Sequence, residues 1–395
     1  MKRILFICDQ SPFENSYGAQ QRTNLLFDAV CLAGQVDLVC FASGNRPKTF
    51  SKSNCTIKFF AELPTRVQSK AELRFKKILN IIFSFSPYSV YRKNRSAYKI
   101  THDLLKCYNY DHIVIRYIKN AFMCGLLSDN RIIVDVDDLP EQSIISYTDA
   151  FKISRIRSLQ HKFYAKRAKF HTNHFLKKVN HSFFPDEDQC RWENSSYLPN
   201  IPFPAFEGLQ TLKNHVPDEN TFDVLFVGYM NHSPNSHGVN WFIENIWQSV
   251  KKAVPQAVFK IIGRGVTTEQ KETWEKSYGV RVLGFVSDIY SVYEKCAVVV
   301  VPIFYGAGTN IKVLEAMYLK RACVISDFAA RGFKNHLIDN QNILVAINNQ
   351  DFAVKVIQLL LDRNFNRFIA ENGAKTIEEK YSYTFFLEVV NRYVL

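Results

Sequence analysis

The chain has 395 residues, 47% of them apolar, and a formal net charge of +13. That length exceeds one typical core and fits two domains of roughly 150 to 200 residues, with ample apolar material to bury. Nine cysteines (8, 31, 40, 55, 107, 124, 190, 296 and 323) are scattered, odd in number and without a Cys-x-x-Cys pair, which argues for reduced thiols in a cytosolic setting and against a disulfide frame or a zinc site.

Met1-Lys2-Arg3 could open a signal peptide, but the apolar run that follows stops after five residues at Asp9. This is too short for an h-region, so Arg3 to Cys8 reads as a first buried strand. No run approaches the ~18 apolar residues of a membrane-spanning helix. In the first half, Val36 to Phe41, Ile113 to Tyr117 and Ile132 to Val136 also read as short apolar strands, and Gly18 to Leu32 as the helix after the first strand. Between them lie two basic, oily stretches, Arg66 to Lys99 and Lys152 to Lys178. In Phe75 to Phe83 the spacing predicts a helix with one apolar and one basic face, Lys76 and Lys77 joining Arg74, Arg92, Lys93 and Arg95. Such a face suits either an anionic membrane surface or plain solvation over a packed core. Nucleic acid is not expected, because no RNP-like, zinc-finger or helix-turn-helix signature is present.

Asp135-Val136-Asp137-Asp138 closes the fourth of these strands. Alternation puts Asp135 and Asp137 on one side and Asp138 on the other, a pattern open to a metal or a general base. His171 and His174 stand at helical spacing without a nearby carboxylate, so a solvated face fits them better than a metal. Leu198 to Pro204, with three prolines in seven residues, and the polar stretch to Asn220 read as a linker.

In the second half, Asp223 to Val227, Val258 to Ile262, Val280 to Leu283, Ala297 to Val301 and Ala322 to Ser326 read as strands. Val239 to Val254, Lys312 to Tyr318 and Phe352 to Asp362 read as helices. Alternation of this kind implies parallel sheets with ligands at the carboxyl ends of the strands. Gly306-Ala307-Gly308-Thr309-Asn310 joins the fourth of these strands to a helix carrying Lys312 and Glu315. Glycines let a backbone approach a ligand closely, and the first helical N–H groups point at an anion. The same pattern also fits an ordinary strand-to-helix turn. Glu315, one turn on, adds a carboxylate able to accept from a ribose, giving one partner for each half of a nucleotide.

These residues carry a resemblance. The segment resembles the nucleotide-sugar site of GT-B glycosyltransferases of family 4, in the branch that writes its turn Gly-x-Gly-Thr-x-x-Lys before Leu-Glu-Ala-Met. Phe226-Val227-Gly228 with Ser233-Pro234-Asn235, then Gly263-Arg264-Gly265, Gly284-Phe285-Val286 and Arg321 to Ser326 are similar to that family's landmarks in their usual order. The resemblance is specific from about 222 to 335 and diffuse before it. It implies two Rossmann-like domains facing each other across a cleft: an acceptor-side domain at 1–200, a nucleotide-sugar domain at 201–379, and a C-terminal segment, about 380–395, returning to the first. It also implies a retaining sugar transfer from a nucleotide diphosphate sugar to a glycan or lipid-linked acceptor hydroxyl, without a bound metal; the basic, oily stretches of the first half would place that cleft beside a membrane's inner face. Donor contacts would fall on Gly18, Gly228, Asn235, Gly263, Arg264, Phe285, Val286, Gly308, Thr309, Asn310, Lys312 and Glu315, with the base near Val286. Catalytic roles would fall on Lys312, Asp138 and Arg116. Arg116 stands where many relatives end a strand with histidine, and reads either as a cation facing the cleft or as a salt bridge at the domain rim, while the family segment matching Asp135 to Asp138 is often structural.

Two departures stand out. Many relatives place a glutamate where this chain has Ala307, and their Arg and Lys pair after the Val-Gly turn is replaced by Tyr229, Met230 and Asn231. A nucleotide-sugar epimerase, or a glycan- or membrane-binding protein with a degenerate donor site, would share the architecture.

Overall fold

Runs of β-branched residues buried on both faces make parallel sheets, and this chain builds two. The computed structural model describes residues 1–14, 17–42, 54–63, 93–151, 153–202 and 221–395. The amphipathic helix expected at Phe75 to Phe83 and the linker residues 203–220 lie outside them. The chain divides into a first unit, Met1–Leu198 with Leu387–Leu395, and a second, Pro199–Phe386.

The first unit holds strands β1 (Lys2–Cys8), β2 (Gly34–Cys40), β3 (Cys55–Phe60), β4 (His112–Arg116), β5 (Asp129–Asp135), β6 (Val179–Phe184) and β7 (Ser195–Tyr197), ordered β3-β2-β1-β4-β5-β6-β7. All pairings are parallel. The order reverses between β1 and β4, the position at which such sheets collect ligands. Strands β3, β6 and β7 are absent from the reading by pattern: β3 and β7 are edges only partly buried, and β6 interleaves Asn180, His181 and Ser182 with its apolar residues. Tyr393, in the helix Tyr383–Val394, stacks on His181 at 3.5 Å and meets Phe183 edge-on. His181 Nε2 also lies 2.7 Å from Ser196 Oγ, and burial pushes its pKa down to about 4.

The second unit holds β8 (Asp223–Val227), β9 (Val258–Ile262), β10 (Val280–Gly284), β11 (Val298–Val301), β12 (Ala322–Ser326) and β13 (Leu344–Ala346), ordered β10-β9-β8-β11-β12-β13 and again parallel. The four valines of β11 are all buried. Here the order reverses between β8 and β11. The helix expected from Val239 starts earlier, at Ser233, where Pro234 sits in the first turn, and a π-helical turn at Ile243–Trp247 joins it to Gln248–Ala253. Among the described residues no helix is long and apolar enough to cross a membrane.

Candidate functional site

The turns that leave β8, β9 and β10 are tied to one another through main chain. Gly228 N donates to Ile262 O at 2.9 Å, Gly263 N to Gly284 O at 2.9 Å, and Met230 N to Arg264 O at 2.8 Å. Gly263 has φ +149°, and a Cβ there would collide with the carbonyl oxygen of Gly228. Gly284 has φ +66° but open space around it. Gly263→Ala is therefore expected to cost about 2–4 kcal/mol through overlap added to strain, and Gly284→Ala about 1–2 kcal/mol through strain alone. Urea unfolding of both variants checks this; equal costs would mean that close approach is not what Gly263 supplies.

The turn after β11 is held from several sides. Gly306 and Gly308 have φ of +125° and +71°. Arg331 Nη2 donates to the carbonyls of Gly306 (2.9 Å) and Gly308 (3.4 Å). Thr309 Oγ1 accepts from Asn200 Nδ2 at 2.5 Å, and Asn310, the residue before the helix Ile311–Tyr318, reaches Ala329 O at 3.5 Å. In the first turn of that helix, Lys312 Nζ donates to Asn235 Oδ1 at 2.6 Å. Asn235 Nδ2 in turn donates to Tyr229 O at 2.9 Å. The ammonium also sits 4.6 Å from the Phe226 ring centroid. A Cβ on Gly228 would lie 3.1 Å from Nζ, so the glycine turn after β8 and the helix after β11 converge on this cation.

Burial, opposed by Glu315, pushes the Lys312 pKa down to about 7. The same carboxylate lies near Tyr290 and Tyr293, whose pKa values rise through burial first and Glu315 next. Burial, and then Lys312, lowers the pKa of His232. A half-buried ammonium of this kind is an incomplete electrostatic site: an anion placed on it would restore the charge that burial disfavours. Across the sheet, the Arg264 guanidinium lies 4.2 Å from the centroid of Phe285, an exposed ring.

Thus Gly228, Asn235, Gly263, Arg264, Phe285, Val286, Gly308, Thr309, Asn310, Lys312 and Glu315 all belong to the carboxyl-end turns of the second sheet or the helix that follows them. Gly18 does not; it opens the helix Gly18–Ala33 in the first unit. Arg331 and Asn200 were not singled out from sequence. Neither stands in a recognisable motif, and each reaches the turn only through the fold.

In the first unit, Arg116 is fully buried. Its guanidinium contacts Asp135 at 2.9 Å and Asp137 at 2.7 Å, and donates to Thr23 Oγ1 at 3.2 Å. Arg22 bonds Asp135 through Nη2 (2.6 Å) and Nε (2.9 Å) and also donates to Leu198 O. Arg116 therefore stands in a buried cluster of ion pairs. The carboxylates open to a metal or base reading are accordingly met by two guanidiniums. Burial works to raise the Asp137 pKa, but Arg116 and Arg22 hold it below the usual carboxylate range. Tyr117 (φ +66°) and Asp137 (φ +53°) are left-handed, and the Tyr117 hydroxyl donates to Asp137 at 3.1 Å. Asp138 is half-buried, its amide donating to Val136 O at 2.6 Å.

Residues 221–362 match the family described as Glycosyl transferases group 1. That match lies wholly within the second unit. The whole-chain fold agrees. Sucrose-phosphate synthase from Thermosynechococcus elongatus superposes with a TM-score of 0.71 at 13% identity, over 99% of this chain and 98% of that one. HepE from Anabaena, solved with UDP and glucose, gives 0.63 at 14% identity over 99% of each chain. At such identities the likeness is one of fold, and the fold is GT-B. An uncharacterized 44.6 kDa protein in the cps region of Klebsiella pneumoniae is 26% identical over 219 residues, 52% of this chain and 54% of that protein. The chain thus matches about half the length of that curated relative.

Proposed function

We propose that the protein is a retaining glycosyltransferase of the family 4 type that takes its sugar from a nucleotide diphosphate donor bound at the carboxyl end of the second sheet. The observation that carries this reading is the Lys312 ammonium, held by Asn235 beside Gly228 at the reversal of strand order, with Glu315 one turn further along its helix. The diphosphate lies on Lys312 and the main-chain amides of the Gly308 to Asn310 turn, the ribose on Glu315. The base lies by Val286 and Phe285, with Arg264 on the ribose or phosphates.

In the reaction, the bond from the anomeric carbon to the diphosphate oxygen breaks and the acceptor oxygen bonds that carbon on the same face. The acceptor proton leaves with the diphosphate. Lys312 and the helix-start amides stabilise negative charge that grows on the leaving group, so their contribution is larger in the transition state than with intact donor. No step calls for a metal, and chelation is expected to leave turnover unchanged. The acceptor is a glycan or a lipid-linked sugar in polysaccharide or glycoconjugate assembly; the cps region that houses the Klebsiella relative supports this.

The test is incubation with a panel of nucleotide sugars, following free nucleoside diphosphate with and without candidate acceptors. Acceptor-stimulated release supports transfer. Conversion of the sugar without release would identify an epimerase, and binding without either would identify a degenerate site.

A further inference from the structure

The helix Arg155–Leu176 in the first unit has two unlike faces. Ala165, Ala168, Thr172, Phe175 and Leu176 are buried. Ile156, Leu159, Phe163 and Phe170, separated by steps of three, four and seven, share the opposite stripe, and they are 71%, 68%, 49% and 67% exposed. Lone exposed apolar residues are ordinary, but a row of four large ones along a single helix marks a surface made for contact. Around the row stand Arg155, Lys162, Lys166, Arg167 and Lys169, followed by Lys177 and Lys178. No Asp or Glu occurs from Arg155 to Lys178.

We propose that this helix seats the protein on an anionic bilayer, independently of the donor reading. Phe163 and Phe170 enter the boundary between headgroups and acyl chains, and the flanking cations meet lipid phosphates. The chemistry of the face selects that occupant. A second copy docked face to face would set most of these cations against their own equivalents, with only Glu141 of the neighbouring helix close to one of them, Lys169. A nucleic acid would satisfy the cations but leave Ile156 and Leu159 without an apolar partner. A lipid interface supplies both anionic and apolar layers, stacked in the order this face requires.

The test is sedimentation of the full chain with phosphatidylcholine vesicles, alone and with about 30% phosphatidylserine. Binding should require the anionic lipid and fall with salt. A surface cation contributes about 1 kcal/mol, close to fivefold in affinity, so a Lys162→Glu/Lys166→Glu pair should lower affinity by at least about 25-fold. A Phe163→Ser/Phe170→Ser pair should lower it by on the order of tenfold or more with an unchanged melting temperature, since both rings are exposed. Nucleoside diphosphate binding should be unchanged in both variants, so the donor reading stands or falls separately. The proposal is overturned if bound protein does not depend on lipid charge or if neither pair changes binding. It is also overturned if an RNA oligonucleotide binds equally well to the Phe→Ser variant, or if the wild-type chain forms a dimer that this variant does not.

Discussion

Replacing Lys312 or Glu315 by alanine is expected to weaken nucleoside diphosphate binding by about 1.5 to 3 kcal/mol each, or roughly ten- to 150-fold in Kd, the range for hydrogen bonds to charged groups. Lys312→Ala should in addition lower turnover, because its contact gains strength as the diphosphate leaves. The pH dependence supplies a second readout. Burial holds the free Lys312 at a pKa of about 7, and a bound diphosphate favours the ammonium, so the pKa in the complex lies higher. Binding then takes up a proton above pH 7: affinity is level with respect to this group below pH 7 and falls as the pH rises past it, by up to about tenfold per unit. Calorimetry from pH 6 to 9 should show this slope in the native protein and not in Lys312→Ala. Unchanged affinity in both alanine variants, or a slope that survives the loss of Lys312, would remove the assignment.

Arg116→Ala is expected to destabilise the first unit by about 3–5 kcal/mol, because Asp135 and Asp137 would keep their burial and lose a guanidinium. Introducing Asp137→Asn into that background should recover part of the loss, since an amide needs no counter-charge. The diphosphate affinity of the folded fraction should not change, since Lys312 and Glu315 belong to the other unit. Guanidinium unfolding with calorimetry on the same samples checks both halves. A stable Arg116→Ala protein that binds donor but has lost turnover would place Arg116 in the chemistry instead.

The contrast between these two sites explains what was legible in the sequence. The donor turn and its helix occupy consecutive positions from Gly306 to Glu315, so glycine, cation and carboxylate are seen together before any folding is known. The parallel strands were equally plain where valine and isoleucine run unbroken, as in β11, and obscure where a strand is an edge or carries polar residues, as in β3 and β6. Arg116 shows the opposite case. Its partners Asp135 and Asp137 were noted as a cluster, but Arg22 lies far along the chain from Asp135, and nothing in spacing foretells that pairing. A cation whose carboxylates come from another strand shows no partner in its own stretch of sequence. Arg331 and Asn200 were missed for the same reason: each bonds the donor turn across a distance that only the tertiary structure closes.

Because residues 387–395 complete the first unit while 199–386 form the second, the second unit is an insertion into the first. During synthesis at about 5–20 residues per second, the surface of β6 that Tyr393 covers waits roughly ten to forty seconds while the entire insert is made. The second unit, by contrast, is continuous and has every strand of its sheet by then. A fragment ending at Leu198 would expose His181 and Phe183, whereas a fragment beginning at Pro199 keeps its own sheet intact. Expression of the first unit alone thus calls for supplying residues 387–395 together with residues 1–198, and completion of the first half of the protein waits on a segment made after the whole of the second.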